Sequence, residues 1–253
     1  MTFCSRAQYY NIEYQEERDF NFVGSLVQHP RQSILEIPCG AGRLSRHLAS
    51  LSDDLTIVDF SEAMLKQAKL SMAEMDHKAK ICSHACDMRT LNLARRFDLI
   101  LVPRESLQLL DLNDASNTIR KLIKHLTPCT GRLLIDLTTF KVPGDPDYFY
   151  DLDVEKWHMN WTRHIDEQRT LSRRSREKRT DQPSGVEFTF QYEEKDGKSS
   201  RQWTETFWLW KYDVCHIFQM TAEESVKIEV WGSYKGESYT SSSGRLIALI
   251  EPR

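Results

Sequence analysis

The stretch S-I-L-E-I-P-C-G-A-G-R-L-S, from Ser33 to Ser45, decides the predicted fold. Its first five residues, 33–37, form a short apolar run that is typical of a buried strand. Cys39 to Gly42 form a turn of small residues, and the leucines of segment 43–51 then recur at helical spacing. A strand, tight turn and helix in this order place glycines and free helix N–H groups at the carboxyl end of a strand, where open α/β sheets bind nucleotide-like ligands.

A second strand is predicted over Leu55 to Phe60, and its end carries Asp59. A carboxylate at the tip of the second strand of such a sheet can accept hydrogen bonds from both hydroxyls of a ribose. A dinucleotide site is less favoured, because the spacing G-x-G-x-x-G is absent around Gly40 and Gly42.

Four pieces of sequence within residues 34–103 together resemble the class I S-adenosylmethionine-dependent methyltransferases. In chain order they are E-I-P-C-G-A-G-R, V-D-F-S-E-A-M-L, A-C-D-M-R and R-F-D-L-I-L-V-P. The resemblance implies an enzyme with S-adenosyl-L-methionine as cofactor and a doubly wound, seven-stranded Rossmann-like α/β sheet. One residue departs from the pattern: Pro38 stands where most of the family has Gly, and proline fixes φ and removes a donor.

The resemblance also implies roles for the residues at the first two strand ends. Backbone groups of Pro38, Gly40 and Gly42 would hold the methionine part of the cofactor, and Glu36 would lie at its amino group. Asp59 would take the ribose. The alternatives from the residues alone are a simple tight turn and a helix-capping or solvated acid.

Asp87 and Met88 follow a third predicted strand, Lys80 to His84. By resemblance, the Asp87 carboxylate would meet the adenine amino group and Met88 would meet the ring, for which a polarizable thioether is suited. The alternative for Asp87 is an exposed loop acid. The predicted cofactor-binding set is completed by flanking residues, namely Tyr10, Arg43, Phe60, Met64 and Val102.

The residues after the fourth predicted strand, Asp98 to Val102, are the candidates for acceptor chemistry. This edge of the family's sheet faces the transferred methyl group. The sequence V-P-R-E here replaces the Asn/Asp-Pro-Pro-Tyr of enzymes that methylate the amino groups of bases. We expect Arg104 to bind an acceptor carboxylate and Glu105 to orient an amine or take its proton. The alternative is an exposed pair without function.

Tyr10 and Tyr14 lie four residues apart and so share one face of a predicted N-terminal helix, Phe3 to Gln28. By resemblance this helix folds over the cofactor, and a phenol face suits a sulfonium cation. Tyr14 is therefore included among the catalytic candidates. Hydrophobic anchoring of the helix is the alternative for either tyrosine.

The predicted domain organisation has three parts. Residues 1–30 form an N-terminal helical cap, and residues 31–140 with 212–253 form the cofactor-binding core. Residues 141–211 form an antiparallel β insertion over the substrate pocket, with a hairpin turn at 195–198. Its aromatic and histidine side chains could line an acceptor pocket, pack the insertion's own sheet or form a dimer contact: Trp157, His158, Trp161, His164, Trp203, Trp208 and Trp210.

Composition excludes several classes of protein. The 253 residues are 40% hydrophobic and 28% charged, and the net charge of −3 gives no basic field for nucleic acid. Cys82 and Cys86 lack the further Cys or His ligands of a metal site, so no metal is predicted. Unpaired cysteines and the absence of a signal core or long apolar stretch predict a cytoplasmic protein.

The sequence thus predicts a small-molecule methyltransferase, with N-methylation favoured over O-methylation because no strong hydroxyl-activating base or metal site is evident. The expected partner is a small-molecule acceptor, not nucleic acid or membrane, and a homodimer is one expected arrangement. Two alternatives stay open. An RNA or protein methyltransferase rests on the basic run Arg169 to Arg179 alone, and a non-catalytic S-adenosylmethionine-binding module would carry the same motifs.

Overall fold

The computed structural model describes residues 4–140, 156–197 and 199–253. Two compact units are present. The first contains residues up to Thr138 together with Tyr212–Arg253, and the second spans Thr139–Lys211. None of the helices in the described ranges is both long and apolar enough to cross a membrane.

The described residues form eleven strands. In chain order they are β1 (Ser33–Glu36), β2 (Asp54–Asp59), β3 (Lys80–Ala85), β4 (Leu99–Val102), β5 (Arg132–Thr138), β6 (His158–His164), β7 (Arg169–Asp181), β8 (Ser184–Asp196), β9 (Ser199–Trp210), β10 (Val226–Trp231) and β11 (Arg245–Pro252).

Seven of these strands form the sheet of the first unit, in the order β10-β11-β5-β4-β1-β2-β3. Strands β1 to β5 are parallel, and β11 pairs antiparallel with β5 and β10. Strands β4 and β5 are buried throughout. β4 is entirely apolar, and β5 is apolar between Arg132 and Thr138 apart from Asp136, as expected for parallel strands covered on both faces. The predicted Rossmann-like sheet with a separate antiparallel insertion is confirmed.

The antiparallel pairing of β11 determines which residues meet at the carboxyl edge of the sheet. In the register of β11 with β5, Arg245 at the start of β11 pairs with Thr138 at the end of β5. The amino end of β11 therefore lies beside the carboxyl ends of β4 and β5, so residues far apart in sequence come together there.

In the same described ranges the strands are accompanied by seven α-helices: α1 (Cys4–Ala7), α2 (Tyr10–Glu13), α3 (Phe20–Ser25), α4 (Arg43–Leu51), α5 (Glu62–Ala73), α6 (Leu112–Lys124) and α7 (Val214–Met220). Ser61 caps α5 by accepting a hydrogen bond from the Met64 N–H at 3.4 Å, as the sequence predicts. Leu44, Leu48 and Leu65 pack α4 and α5 into the core of the first unit.

The N-terminal region differs from the single helix that the sequence predicts. It forms three short helices, and the chain leaves helical geometry at Tyr14, where φ is −114° and ψ is 89°. The side chain of Arg6 explains this break. Its guanidinium binds both the Glu13 carboxylate and the Tyr14 hydroxyl, which folds the segment back on itself.

The second unit is an antiparallel meander in the order β6-β7-β8-β9, as predicted. Alternate residues of β8 are buried on one face, namely Val186, Phe188, Phe190 and Tyr192. Gly197 lies in the turn after β8 with φ at +55°, a conformation that favours glycine.

Candidate active site

Glu36 ends β1 and is buried directly before the glycine turn. Its Oε2 accepts a hydrogen bond from the Ser45 hydroxyl at 2.5 Å. Burial raises the pKa of Glu36 to about 8, because removal from water disfavours the charged form. A carboxyl group of this kind ionises readily once a cationic group approaches it.

The glycine turn brings its backbone close to two other elements. Gly42 has φ at +88°, and a Cβ there would lie 2.8 Å from the Ala68 Cα on α5. Gly40 has φ at +54°, and a Cβ there would lie 3.2 Å from the Tyr10 ring. Only glycine combines a positive φ with such a close approach of neighbouring atoms without strain. The turn begins at Pro38, whose peptide bond with Ile37 is cis.

Asp59 ends β2 and joins this turn to the start of α5. The Gly40 N–H donates to its Oδ2, and the Ser61 N–H donates to its Oδ1, both at 2.9 Å. Burial raises its pKa. Each carboxylate oxygen keeps a further lone pair for a hydroxyl donor. The adjacent Phe60 ring is half exposed.

Asp87 follows β3 and is more exposed than the two buried acids. It caps the short 3-10 turn Met88–Thr90 by accepting from the Arg89 N–H. The Arg89 guanidinium also binds this carboxylate, and that hydrogen bond lowers the pKa of Asp87. Met88 is partly buried beside it.

Two other members of the predicted cofactor set are buried, and a third is partly buried. Met64 and Val102 are 3% and 1% exposed, and both contribute to the packed surroundings of the strand ends. Arg43, the partly buried member, has partners within the protein. Its guanidinium is held by the Asp19 carboxylate at 2.7 and 2.5 Å and by the Glu16 carbonyl, so it fastens the N-terminal segment to α4.

The two predicted tyrosines lie together, with ring centroids 4.6 Å apart. Tyr10 covers Gly40, and burial raises the pKa of its hydroxyl. The Tyr14 hydroxyl accepts from Arg6 at 2.5 Å. The Arg104 guanidinium carbon lies 5.0 Å from the centroid of the Tyr14 ring, so the structure brings these two catalytic candidates together.

Glu105 is not on an accessible surface, in contrast to the prediction that it faces the acceptor. It is 1% exposed, and its Oε1 forms an ion pair with Arg245. Arg245 also binds Asp136, whose Oδ2 accepts from the Tyr234 hydroxyl at 2.7 Å. The sequence did not predict this ion pair, because Arg245 lies 140 positions after Glu105 and no local pattern indicates it.

Asp136, Tyr234 and Arg245 are therefore residues that the sequence analysis missed. Asp136 had a detectable signal, since an acid inside the run R-L-L-I-D-L-T of a buried strand must find a partner. Arg245 stands directly before the apolar run of β11, but only the antiparallel register shows which residues it meets.

The acids at the ends of β1, β2 and β3 fit the predicted cofactor by their chemistry. S-adenosylmethionine carries an ammonium group, two ribose hydroxyls and an adenine amino group, and all of these are hydrogen-bond donors. Glu36 and Asp59 are acceptors that end β1 and β2, and Asp87 is an acceptor that follows the neighbouring strand β3.

Comparisons with known proteins agree with this geometry. Residues 34–129 match the family model described as a methyltransferase domain. Nodulation protein S from Bradyrhizobium diazoefficiens (strain JCM 10833 / BCRC 13528 / IAM 13628 / NBRC 14792 / USDA 110) is 30% identical over 96 residues. The match covers 38% of this chain and 44% of that relative, so the chain spans less than half of the relative's length.

Solved structures share the fold over much more of the chain. An S-adenosylmethionine-dependent methyltransferase from Clostridium acetobutylicum ATCC 824 has a TM-score of 0.78 at 17% identity and covers 98% of both chains. The sugar N-methyltransferase KedS8 from Streptoalloteichus sp ATCC 53650 has a TM-score of 0.73 at 20% identity, covering 94% of this chain and 87% of that one. DesVI from Streptomyces venezuelae has a TM-score of 0.73 at 18% identity and covers 98% of both.

The family model, the ordered motifs and the sheet topology all lead to one assignment. The match over residues 34–129 contains β1 to β4 and the glycine turn. Residues 34–129 are therefore similar to a methyltransferase domain, and the chain shares its fold with solved S-adenosylmethionine-dependent methyltransferases.

Proposed function

We propose that the protein is an enzyme that transfers a methyl group from S-adenosylmethionine to a nitrogen atom of a small-molecule acceptor. The observation that carries the proposal is the row of three acids, Glu36, Asp59 and Asp87, at the ends of three adjacent parallel strands beside the glycine turn. This is the edge at which α/β sheets bind ligands.

In this proposal each of the three acids binds a different group of the cofactor. Glu36 binds the ammonium group, Asp59 binds the ribose hydroxyls, and Asp87 binds the adenine amino group. The partly exposed Phe60 and Met88 side chains offer apolar contact to the adenine ring. Bound S-adenosylmethionine supplies a methyl group activated by its attachment to a sulfonium.

Arg104 and Tyr14 form the acceptor side of the proposed site. A guanidinium beside an aromatic ring, at the tip of β4, suits an acceptor with a carboxylate or phosphate group. Methyl transfer requires a neutral amine held in line with the methyl group, and positioning can supply most of the rate acceleration. Arg104 would act by orientation in this scheme.

The choice of nitrogen over oxygen is supported by the structural relatives. They include a sugar N-methyltransferase, an amino pentose methyltransferase and a glycopeptide N-methyltransferase. These descriptions favour an acceptor that is an amine of low molecular weight, such as an amino sugar.

The alternative RNA acceptor receives less support from the structure. The basic run forms β7, and Arg173 is buried there with its guanidinium 4.3 Å from the Phe190 ring centroid. Arg169 and Arg179 pair with nearby acids. Paired and buried cations contribute little to phosphate binding.

The test is transfer of label from S-adenosyl-[methyl-³H]methionine to matched pairs of acceptors. Each amino sugar or amino acid is assayed beside its hydroxyl analogue, and total RNA is included. The proposal expects label in at least one amine and none in its hydroxyl partner. Transfer only to hydroxyl compounds or to RNA would overturn it. The expected homodimer and cytoplasmic location stay predictions, which light scattering and cell fractionation would check.

A further inference from the structure

The turn after β4 has an unusual backbone. Arg104 and Glu105 are consecutive non-glycine residues with φ at +47° and +58°. L-residues rarely adopt this left-handed region, and two in succession need support from their surroundings. The neighbouring Pro103 restricts its own φ but cannot impose this conformation on the residues after it.

Asp136 on β5 supplies part of that support. Its side-chain Oδ2 accepts from the Arg104 N–H at 3.2 Å, and its main-chain carbonyl accepts from the Glu105 N–H at 2.9 Å. One residue thus holds both left-handed residues by their amide groups. Because β5 is buried throughout, Asp136 is a rigid anchor.

Arg245 completes the support from the start of β11. Its guanidinium joins the Glu105 and Asp136 carboxylates, and the Tyr234 ring lies against it at 5.3 Å. Two acids share this one cation. Glu105 Oε2 is buried without a hydrogen-bond partner among the described residues, and burial raises the pKa of Glu105. Without Arg245 these adjacent carboxylates would repel each other directly beneath the turn.

We propose that Arg245 is a positioning residue, which holds the Arg104–Glu105 turn in its left-handed conformation through Glu105 and Asp136. This left-handed turn then fixes the guanidinium of Arg104 beside Tyr14, where the acceptor binds in the proposed function. The inference rests on the proposed function for its kinetic consequence. Its structural part, support of a left-handed turn, is independent of turnover.

The kinetic test uses an amine acceptor identified in the labelled-methyl assay. Arg245→Met should raise the acceptor KM by about 10- to 100-fold, because a displaced Arg104 binds the acceptor poorly. The S-adenosylhomocysteine Kd, measured by calorimetry, should stay within about twofold because that site is elsewhere. Arg245→Lys keeps the charge and should recover part of the loss. Arg120→Met, which removes an exposed ion pair with Glu223, is the matched control and should change neither constant.

The double variant Arg245→Met/Glu105→Gly tests the mechanism. It removes one of the two carboxylates that Arg245→Met leaves uncompensated, while Asp136 keeps its hydrogen bonds from the Arg104 N–H and the Tyr234 hydroxyl. Glycine also adopts the left-handed conformation without strain. The acceptor KM should therefore return toward the wild-type value. A KM that stays at the Arg245→Met value, or an equal loss of S-adenosylhomocysteine affinity in Arg245→Met, would overturn the positioning role.

A comparison of Tm values tests the left-handed turn itself, even if no acceptor is methylated. Glu105→Gly should have a Tm above that of Glu105→Ala by about 2–4 °C, since only alanine is strained at positive φ. The control is Lys66, which is exposed within α5, where the glycine variant should be the less stable. The same order at both positions would refute a strained turn. Absence of turnover with every acceptor in the wild type would refute only the proposed function.

Discussion

The acidic side chains at the strand ends have different kinds of partner in the two halves of the seven-stranded sheet. At the ends of β1 and β2, Glu36 and Asp59 are bound by a hydroxyl and by backbone N–H groups, and they have no arginine partner among the described residues. At the ends of β4 and β5, the Glu105 and Asp136 carboxylates are joined by Arg245. The first arrangement leaves acceptor capacity for a ligand, whereas the second is largely satisfied within the protein.

This difference separates acids that are free to bind a ligand from acids that support the backbone. Acids held by neutral donors are suited to a ligand that brings its own positive charge and hydroxyls. Acids held by a buried arginine stabilise a backbone turn and leave the adjacent Arg104 to meet the acceptor.

The largest effect is expected from Asp136→Ala. This change leaves Arg245, Tyr234 and the Arg104 N–H without a shared acceptor, which should lower the free energy of unfolding by about 3–5 kcal/mol. Urea denaturation measures it. Glu223→Ala removes a carboxylate whose side chain is 76% exposed and should change stability little. Equal effects of the two variants would mean that the buried network contributes no more to the free energy of unfolding than an exposed ion pair does.

Asp59→Ala should mainly reduce cofactor affinity. Loss of the charge-assisted hydrogen bonds to the ribose should weaken S-adenosylhomocysteine binding by ~1–3 kcal/mol, measured by calorimetry. Asp54→Ala is a matched control, because Asp54 begins the same strand and pairs with Arg95 at the opposite edge of the sheet. An unchanged Kd in a folded Asp59→Ala protein would contradict the ribose assignment.

Glu36→Gln should change how stability depends on pH. The folded-state pKa of Glu36 is raised to about 8, so the folded protein binds more protons than the unfolded chain between the ordinary carboxyl pKa and pH 8. The wild type therefore loses stability as pH rises through that window, and glutamine does not. Thermal unfolding from pH 5.5 to 9 should show a Tm advantage of Glu36→Gln that grows with pH. A constant difference would show that Glu36 does not titrate in this range.

The smallest effect is expected from Asp87→Ala. Asp87 is partly solvated and already bound by Arg89, so its loss should weaken S-adenosylhomocysteine binding by less than about 1 kcal/mol. Calorimetry at two salt concentrations measures it, since a screened interaction loses its contribution at high salt. A loss equal to that of Asp59→Ala would remove the distinction between the buried and the solvated acids.

The sequence was sufficient where the structure depends on local patterns. The turn between β1 and α4, the cap at Ser61 and the alternation of β8 are all encoded within a few residues. Asp59 was predicted from its place at the end of an apolar strand, whereas the roles of Glu36 and Asp87 came from the resemblance to the family.

The sequence was insufficient where contacts join distant residues. Arg43 is held by Asp19, and Glu105 is held by Arg245, and neither pair has a spacing that predicts it. The single helix predicted over Phe3–Gln28 is interrupted at Tyr14, where Arg6 binds Glu13 and Tyr14 in contacts that periodicity does not show. Ion pairs between elements depend on topology and register, which single residues do not specify.

The most direct test of the central claim is hydrogen–deuterium exchange of the whole protein with and without S-adenosylhomocysteine. We expect slower exchange at the ends of β1 and β2, over residues 37–43 and 59–64, because backbone amides there hold the ligand or are buried by it. Residues 103–106 should change much less. Protection confined to the turn after β4, with none at the glycine turn, would contradict the division of the site between the two halves of the sheet.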